Sequence, residues 1–275
     1  MMIYWSDTQA WTINRMNLTS GEVKVIIKDN IGEVYSIAVE WESGLIYWTD
    51  LIFERIEVAK LNGSSRRTLI TKDVESPMGI AVDPGNGYVV WADHNNTAPK
   101  IMRADLTGEN HQELFTTFHG LPLYVIIDYS ENRVYWTDIH LFYTFIGSIG
   151  IDGSAYQGLG YLHPVFYPFD LAIFQSNFYW ADQNLQGVSW FNFKSSSPTV
   201  NTRQNLSPYI VLGVTISDLS TQPMAVDQPC AVNNGNCSHL CLLTPGRGRK
   251  CACPQGVDLN DDGTTCANGK HNYTT

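Results

Sequence analysis

Residues 1–229 contain no cysteine, and all six cysteines fall between Cys230 and Cys266. The first part of the chain is therefore not a disulfide scaffold, and so sharp a change of composition marks a domain boundary. Long apolar runs are also missing. The longest, such as Tyr-Ile-Val-Leu-Gly-Val-Thr-Ile at 209–216, fall far short of the roughly 20 residues a membrane span needs. Basic residues are scarce: 17 Lys and Arg stand against 27 Asp and Glu, a formal charge of −10. The segment from Cys230 onward has four cations and three carboxylates, so almost all the negative charge lies before it, which argues against a nucleic-acid partner. The N-terminus, Met-Met-Ile-Tyr-Trp-Ser-Asp, has no cationic and apolar signal sequence. It opens inside a strand pattern and reads as part of something longer. With 44% apolar and 12% aromatic residues, the chain has ample material for a core.

One tetrapeptide recurs. Tyr4-Trp5-Ser6-Asp7 is followed by Tyr47-Trp48-Thr49-Asp50, Val90-Trp91-Ala92-Asp93, Tyr135-Trp136-Thr137-Asp138 and Tyr179-Trp180-Ala181-Asp182, at spacings of 43, 43, 45 and 44 residues. Five of the eight tryptophans sit in it, so it belongs to a repeated unit rather than to a single catalytic site. An apolar strand precedes the motif at 35–40, 78–83, 123–128 and 169–174. A third strand ends in a Gly turn at 60–63, 105–108 and 150–153, and a fourth follows at 66–70 and 112–116. Four strands per repeat predict an all-β propeller. Side chains alternate across a strand, so Trp and Asp face one side of a blade and Tyr the other. The carboxylates of Asp7, Asp50, Asp93, Asp138 and Asp182, once buried, need N–H or hydroxyl partners.

These residues resemble the YWTD propellers of the low-density lipoprotein receptor-related family, which includes the Wnt co-receptors and nidogen. Residues 76–93, 98–108 and 167–182 are similar to family repeats along nearly the whole chain. The resemblance implies a six-bladed ring followed by an EGF-like module, whereas this chain holds about five blades' worth of strands. Tyr4–Asp7 matches the second family motif, so the first repeat is missing. The expectation is a gapped six-blade fragment. The alternative is a closed five-blade ring in which 209–216 act as an inner strand of the first blade. The domains are placed at 1–226 (propeller), 227–267 (EGF-like) and 268–275 (tail). For the cysteines the resemblance implies Cys230–Cys241, Cys237–Cys251 and Cys253–Cys266. Asp227-Gln228-Pro229 before the first of them lacks the calcium-binding pattern, and Cys251-x-Cys253 is too tight for zinc. Disulfides imply an extracellular or cell-surface setting. Sequons at Asn17, Asn62, Asn95, Asn236 and Asn272 fit it, and a further one at Asn205 is weakened by Pro208.

The resemblance implies a non-catalytic receptor module that binds extracellular proteins or peptides, or aids ligand release, on the face where the inner strands begin. The parent protein is expected to be membrane-anchored. Candidate contacts are Glu33, Tyr35, Glu75, Met78, Leu121, Leu123, Tyr124, Phe166 and Phe169. Met78, Leu121 and Leu123 stand where Wnt co-receptors place polar groups, which argues against the same peptide preference. Alternative readings are a matrix adhesion module like nidogen and a calcium-dependent hydrolase. Asp83 and Asp128 end inner strands, but Glu40 and Phe174 occupy the related sites, so no dedicated metal cluster, cofactor site or catalytic constellation emerges. His94, His111, His119, His140 and His163 are scattered through loops, where a role in an acid-stabilised form is a second reading beside plain solvent exposure.

Overall fold

The computed structural model describes residues 1–141, 143–162, 168–206, 213–224 and 227–267. Five antiparallel sheets follow one another along the chain. The first has three strands, β1 (Met2–Asp7), β2 (Thr12–Asn17) and β3 (Val23–Ile27). The second runs β4 (Ile37–Glu40), β5 (Leu45–Asp50), β6 (Arg55–Lys60) and β7 (Arg67–Ile70). The third is β8 (Pro77–Asp83), β9 (Tyr88–Asp93), β10 (Lys100–Asp105) and β11 (Gln112–Thr116). The fourth is β12 (Leu121–Asp128), β13 (Arg133–His140), β14 (Tyr143–Gly150) and β15 (Gln157–Leu162). The fifth is β16 (Pro168–Phe174), β17 (Asn177–Asp182), β18 (Gly187–Asn192) and β19 (Asn201–Arg203). This is a five-bladed propeller arrangement, each sheet an up-and-down meander with its inner strand beside the next.

The expected inner strand at 209–216 is not among these elements. Residues 209–212 lie outside the described residues, and 213–216 form no strand. The Val214 N–H donates to Asp170 Oδ2 at 3.0 Å, which places it at the last sheet, on β16. Among the described residues the first sheet presents β1, a motif strand, as its inner edge.

The motif residues form the walls between sheets. Trp48 packs with Ile13, Ile27 and Tyr4 of the first sheet, Trp136 with Val90, Ile101 and Leu114 of the third, and Trp180 with Tyr135 and Ile146 of the fourth. Every such indole points back at the preceding sheet, while the motif Tyr faces the following one: Tyr47 packs with Val82 and Val89. Trp48, Trp91, Trp136 and Trp180 are fully buried. Trp5 and Asp7 are only half-buried, because among the described residues no sheet covers the corresponding face of β1. The inner strands approach so closely that a Cβ on Gly79 would stand 2.6 Å from Tyr124 Cα.

The cysteine-rich segment carries one hairpin, β20 (Leu240–Thr244) with β21 (Gly248–Ala252). Its disulfides join Cys230 to Cys241, Cys237 to Cys251 and Cys253 to Cys266. So small a unit has little core of its own, and the apolar face of its hairpin is completed by the propeller. Leu240, Leu242 and Leu243 share one buried cluster with Leu45, Val58, Val89 and Trp91 of the second and third sheets. Arg67 donates to Cys253 O at 3.1 Å, Gln255 N–H to Arg66 O at 2.9 Å, and Lys250 pairs with Glu109. The docked surface is thus apolar at its centre and polar at its edge.

Candidate ligand-binding face

The loops entering β4, β8 and β12, together with the start of β16, bring most of the candidate contacts to one end of the propeller. Tyr35, Met78, Leu123, Tyr124 and Phe169 belong to a single apolar cluster, with the Tyr124 and Phe169 rings 5.7 Å apart. Met78, Leu123 and Tyr124 are buried, so they pack the mouth of the ring rather than line it. Tyr35, Leu121, Phe169 and Glu33 are partly exposed, and Glu75 is exposed. Burial and the neighbouring Glu33 carboxylate push the Tyr35 hydroxyl pKa up. Glu75 accepts a hydrogen bond from the Asn95 amide, which ties one candidate acid to a sequon. Phe166 and His163 lie outside the described residues, as does the Asn272 sequon. Asn62 and Asn236 are exposed, and Asn17 and Asn95 are half-buried.

Deeper in the mouth, β16 carries a bulge at Asp170, whose φ of 50° is unusual for a residue with a side chain. Its buried carboxylate accepts from the N–H groups of Leu171 and Val214, yet burial outweighs both and lifts its pKa to about 6.

Motif carboxylates cap main-chain amides in four of the five repeats. Asp50 accepts from Gly32 N–H at 3.0 Å and Phe53 N–H at 3.1 Å, and Arg55 stands 3.5 Å away. Asp93 accepts from Glu75 and Ser76 N–H, Asp182 from Leu185 N–H and the Trp180 indole, and Asp7 from Gln9 and Ala10 N–H. Asp138 departs from the expected pattern. It is fully buried and neither oxygen has a hydrogen-bond partner; the Trp136 indole N–H approaches without bonding geometry. Burial raises its pKa to about 7. The cause is local. β13 runs two residues past the motif, to His140, so the turn that would return an N–H to the acid is carried away.

At the other end of the inner strands, Glu40 accepts from Glu42 and Ser43 N–H, Asp83 from Asn86, and Asp128 from Ser130. Each caps its own turn. Among the described residues no group of three or more His, Cys, Asp or Glu side chains is placed to hold a metal ion. The histidines are dispersed. His94 contacts Pro122 O, His111 lies between Asp73 and Gly108 O, His119 stacks on Phe145 at 3.8 Å, and His140 stacks on Tyr143. Burial lowers the His119 pKa.

An aromatic patch between the third and fourth sheets has no counterpart in the expected site. Phe115 stacks on Tyr156 at 4.3 Å and lies 5.2 Å from Trp136; Phe118, Phe145, Tyr143 and Tyr161 continue it. The sequence signal for it is the 45-residue interval, which is the longest, and the aromatic-rich stretch Phe142-Tyr143-Thr144-Phe145.

Five successive blades, the first of three strands and the others of four, with Trp and Asp walls and a three-disulfide hairpin module docked beneath, define a YWTD propeller with an EGF-like module. Comparison with known proteins agrees. The family described as "Low-density lipoprotein receptor repeat class B" matches residues 44–84, and "Coagulation Factor Xa inhibitory site" matches residues 230–266. A vitellogenin receptor from Solenopsis invicta is 32% identical over 178 residues, which is 64% of this chain and 9% of that receptor. The chain therefore spans under a tenth of the curated relative it matches. The crystal structure of a nidogen/laminin complex aligns with a TM-score of 0.70 and 28% identity, over 77% of this chain and 79% of the other. A gluconolactonase from Xanthomonas campestris, 20% identical with a TM-score of 0.51 over 66% of this chain and 64% of its own, shares the fold alone. The chain is thus a propeller with a low-density lipoprotein receptor class B repeat and an EGF-like module, and it is similar to part of a vitellogenin receptor.

Among the described residues helices are limited to two short 3-10 turns, and none is long and apolar enough to cross a membrane.

Proposed function

We propose that this chain is a non-catalytic, extracellular binding module of an endocytic or signalling receptor, the Wnt co-receptor type included. It takes a protein or peptide ligand at the mouth where β4, β8, β12 and β16 begin, or aids release of one held elsewhere on the parent. The carrying observation is the arrangement at that mouth: the half-exposed rings of Tyr35 and Phe169 and the Leu121 side chain lie beside Glu33 and Glu75, over the buried Met78, Leu123 and Tyr124. Aromatic anchors on a packed base with a polar rim suit protein recognition. On this reading the propeller occupies 1–226 and the module 227–267, the parent is a single-pass membrane protein, and the exposed Asn62 and Asn236 carry glycans.

The relative's name makes vitellogenin the first ligand to try. The nidogen/laminin likeness favours a second reading, matrix adhesion, with a laminin fragment as ligand. Both proteins are to be passed over the immobilised chain by surface plasmon resonance, with Tyr35→Ala and Phe169→Ala as variants. Saturable binding of either protein that weakens about tenfold in the variants supports the mouth as the site, and which protein binds separates receptor from matrix. Turnover of a lactone, or binding of small metabolites alone, overturns the proposal.

A further inference from the structure

We propose that the junction of the third and fourth sheets is a second binding site, which takes an arginine side chain of a protein ligand among its exposed aromatic rings and pairs the guanidinium with Asp138. The proposal rests on the protein-ligand reading above and adds to it a named chemistry at another place.

The second sheet shows how this fold meets the same need from within. There the residue across the ladder from the motif acid is Arg55, whose guanidinium stands 3.5 Å from Asp50, and a second guanidinium, that of Arg66, lies 5.3 Å from the Trp48 ring. In the third sheet the residue across from Asp93 is Lys100. In the fourth sheet that position is Phe145, and no Lys or Arg occurs in 134–162 or in 112–122; Lys100 and Arg103, on the third-sheet strand packed against Trp136, do not hydrogen-bond to Asp138. Asp138 is left with both oxygens unpartnered and the side chain fully buried. A carboxylate so placed lacks a donor in the native structure, and a guanidinium supplies two in parallel.

The rings needed to hold such a group are present. His119 and Phe118, from the loop after β11, lie over Phe145, with the His119 ring stacked on it at 3.8 Å and Phe118 4.3 Å from His119. Tyr161 is 5.1 Å from Phe145 on the other side. Phe118 is 69% exposed and Tyr161 59%, so the rings are open to solvent while the acid lies beneath. On this proposal the guanidinium enters as Phe118 and His119 turn aside. Stacking on aromatic faces and a bidentate carboxylate together select arginine over lysine. The chain's charge of −10 favours the approach of a basic partner. Burial also holds the Asp138 pKa near 7, and a bound cation would return it toward the ordinary carboxylate range.

The test uses the full chain with 5-fluorotryptophan incorporated, the Trp136 fluorine signal being assigned by Trp136→Phe. N-acetyl-arginine methylamide is titrated, with the citrulline analogue as its uncharged isostere. The expected result is a saturable shift of the Trp136 signal with the arginine probe and none with citrulline. Binding should weaken at least about tenfold in Asp138→Asn and several-fold in Phe118→Ala, a surface change that leaves the core intact. No shift with arginine, or an equal response to citrulline or in Asp138→Asn, overturns the proposal. Failure of the mouth reading looks different: neither vitellogenin nor laminin is captured, while the arginine titration still saturates.

Discussion

Replacing Asp138 with Asn should make the protein more stable in alkaline solution than in acid relative to wild type, and the size follows from the structure. The carboxyl is fully buried without a partner, and its pKa stands at about 7 against an ordinary 3.8. The folded state thus holds its proton more tightly than the unfolded chain does. A pKa raised by folding contributes fully at low pH, and the contribution is lost as pH rises through about 7. With about 1.36 kcal/mol per unit, linkage between those two values removes about 2–3 kcal/mol from wild-type stability between pH 5 and pH 8. The amide variant would carry no such dependence, and other titrating groups cancel in the comparison. Urea unfolding of wild type and Asp138→Asn, with the disulfides intact, is to be followed by tryptophan fluorescence at both pH values. The difference between the two proteins should grow in the variant's favour by that amount from pH 5 to pH 8. A difference that does not change with pH refutes the argument, because it would mean that Asp138 ionises as easily in the fold as out of it.

Trp91→Ala should cost about 3–5 kcal/mol and Trp5→Ala clearly less, since the first indole is enclosed between two sheets and the second is half-buried; paired denaturant midpoints check this. Leu240→Ala, at the centre of the module's contact with the propeller, should cost about 2–5 kcal/mol and expose the hairpin module to protease before the blades are cut, as read by limited proteolysis and mass mapping. Gly79→Ala should destabilise by about 1–3 kcal/mol through the collision of its Cβ with the Tyr124 backbone, seen as a lowered thermal midpoint.

Much of this architecture is legible in the chain because a repeat states its rule several times. The Trp and Asp of 47–50 recur at near-constant spacing, and the period-2 alternation of a strand assigns each to a face before any coordinates are seen. The strands at 112–116 and 78–83 are observed as β11 and as all but the first residue of β8. Direction is not legible. That each indole packs on the preceding sheet, not the following one, depends on blade twist and stacking, which no single repeat encodes. The mouth is readable as a set of loops, but not which side chains sink: Met78, Leu123 and Tyr124 turn into the core while Tyr35 and Phe169 stay half-exposed. Docking of the hairpin module under the second and third sheets was equally out of reach, because it joins Leu240 to Val89 across most of the chain.

The Asp138 departure shows where a repeat protein has room for chemistry. Four copies of the motif acid are committed to amides supplied by their own turns and by the loop before the inner strand. That commitment depends on register: the strand must stop at the acid. The fourth copy breaks this condition, with β13 continuing to His140. The acid itself is retained, and the cation that faces it in the second and third sheets is replaced by Phe145. Local rules in a well-folded chain agree with one another, so a buried group that satisfies none of them marks either strain or use. The aromatic side chains gathered around Phe145, across the ladder from this acid, favour use: the exposed rings of Phe118 and Tyr161 contribute little to the fold.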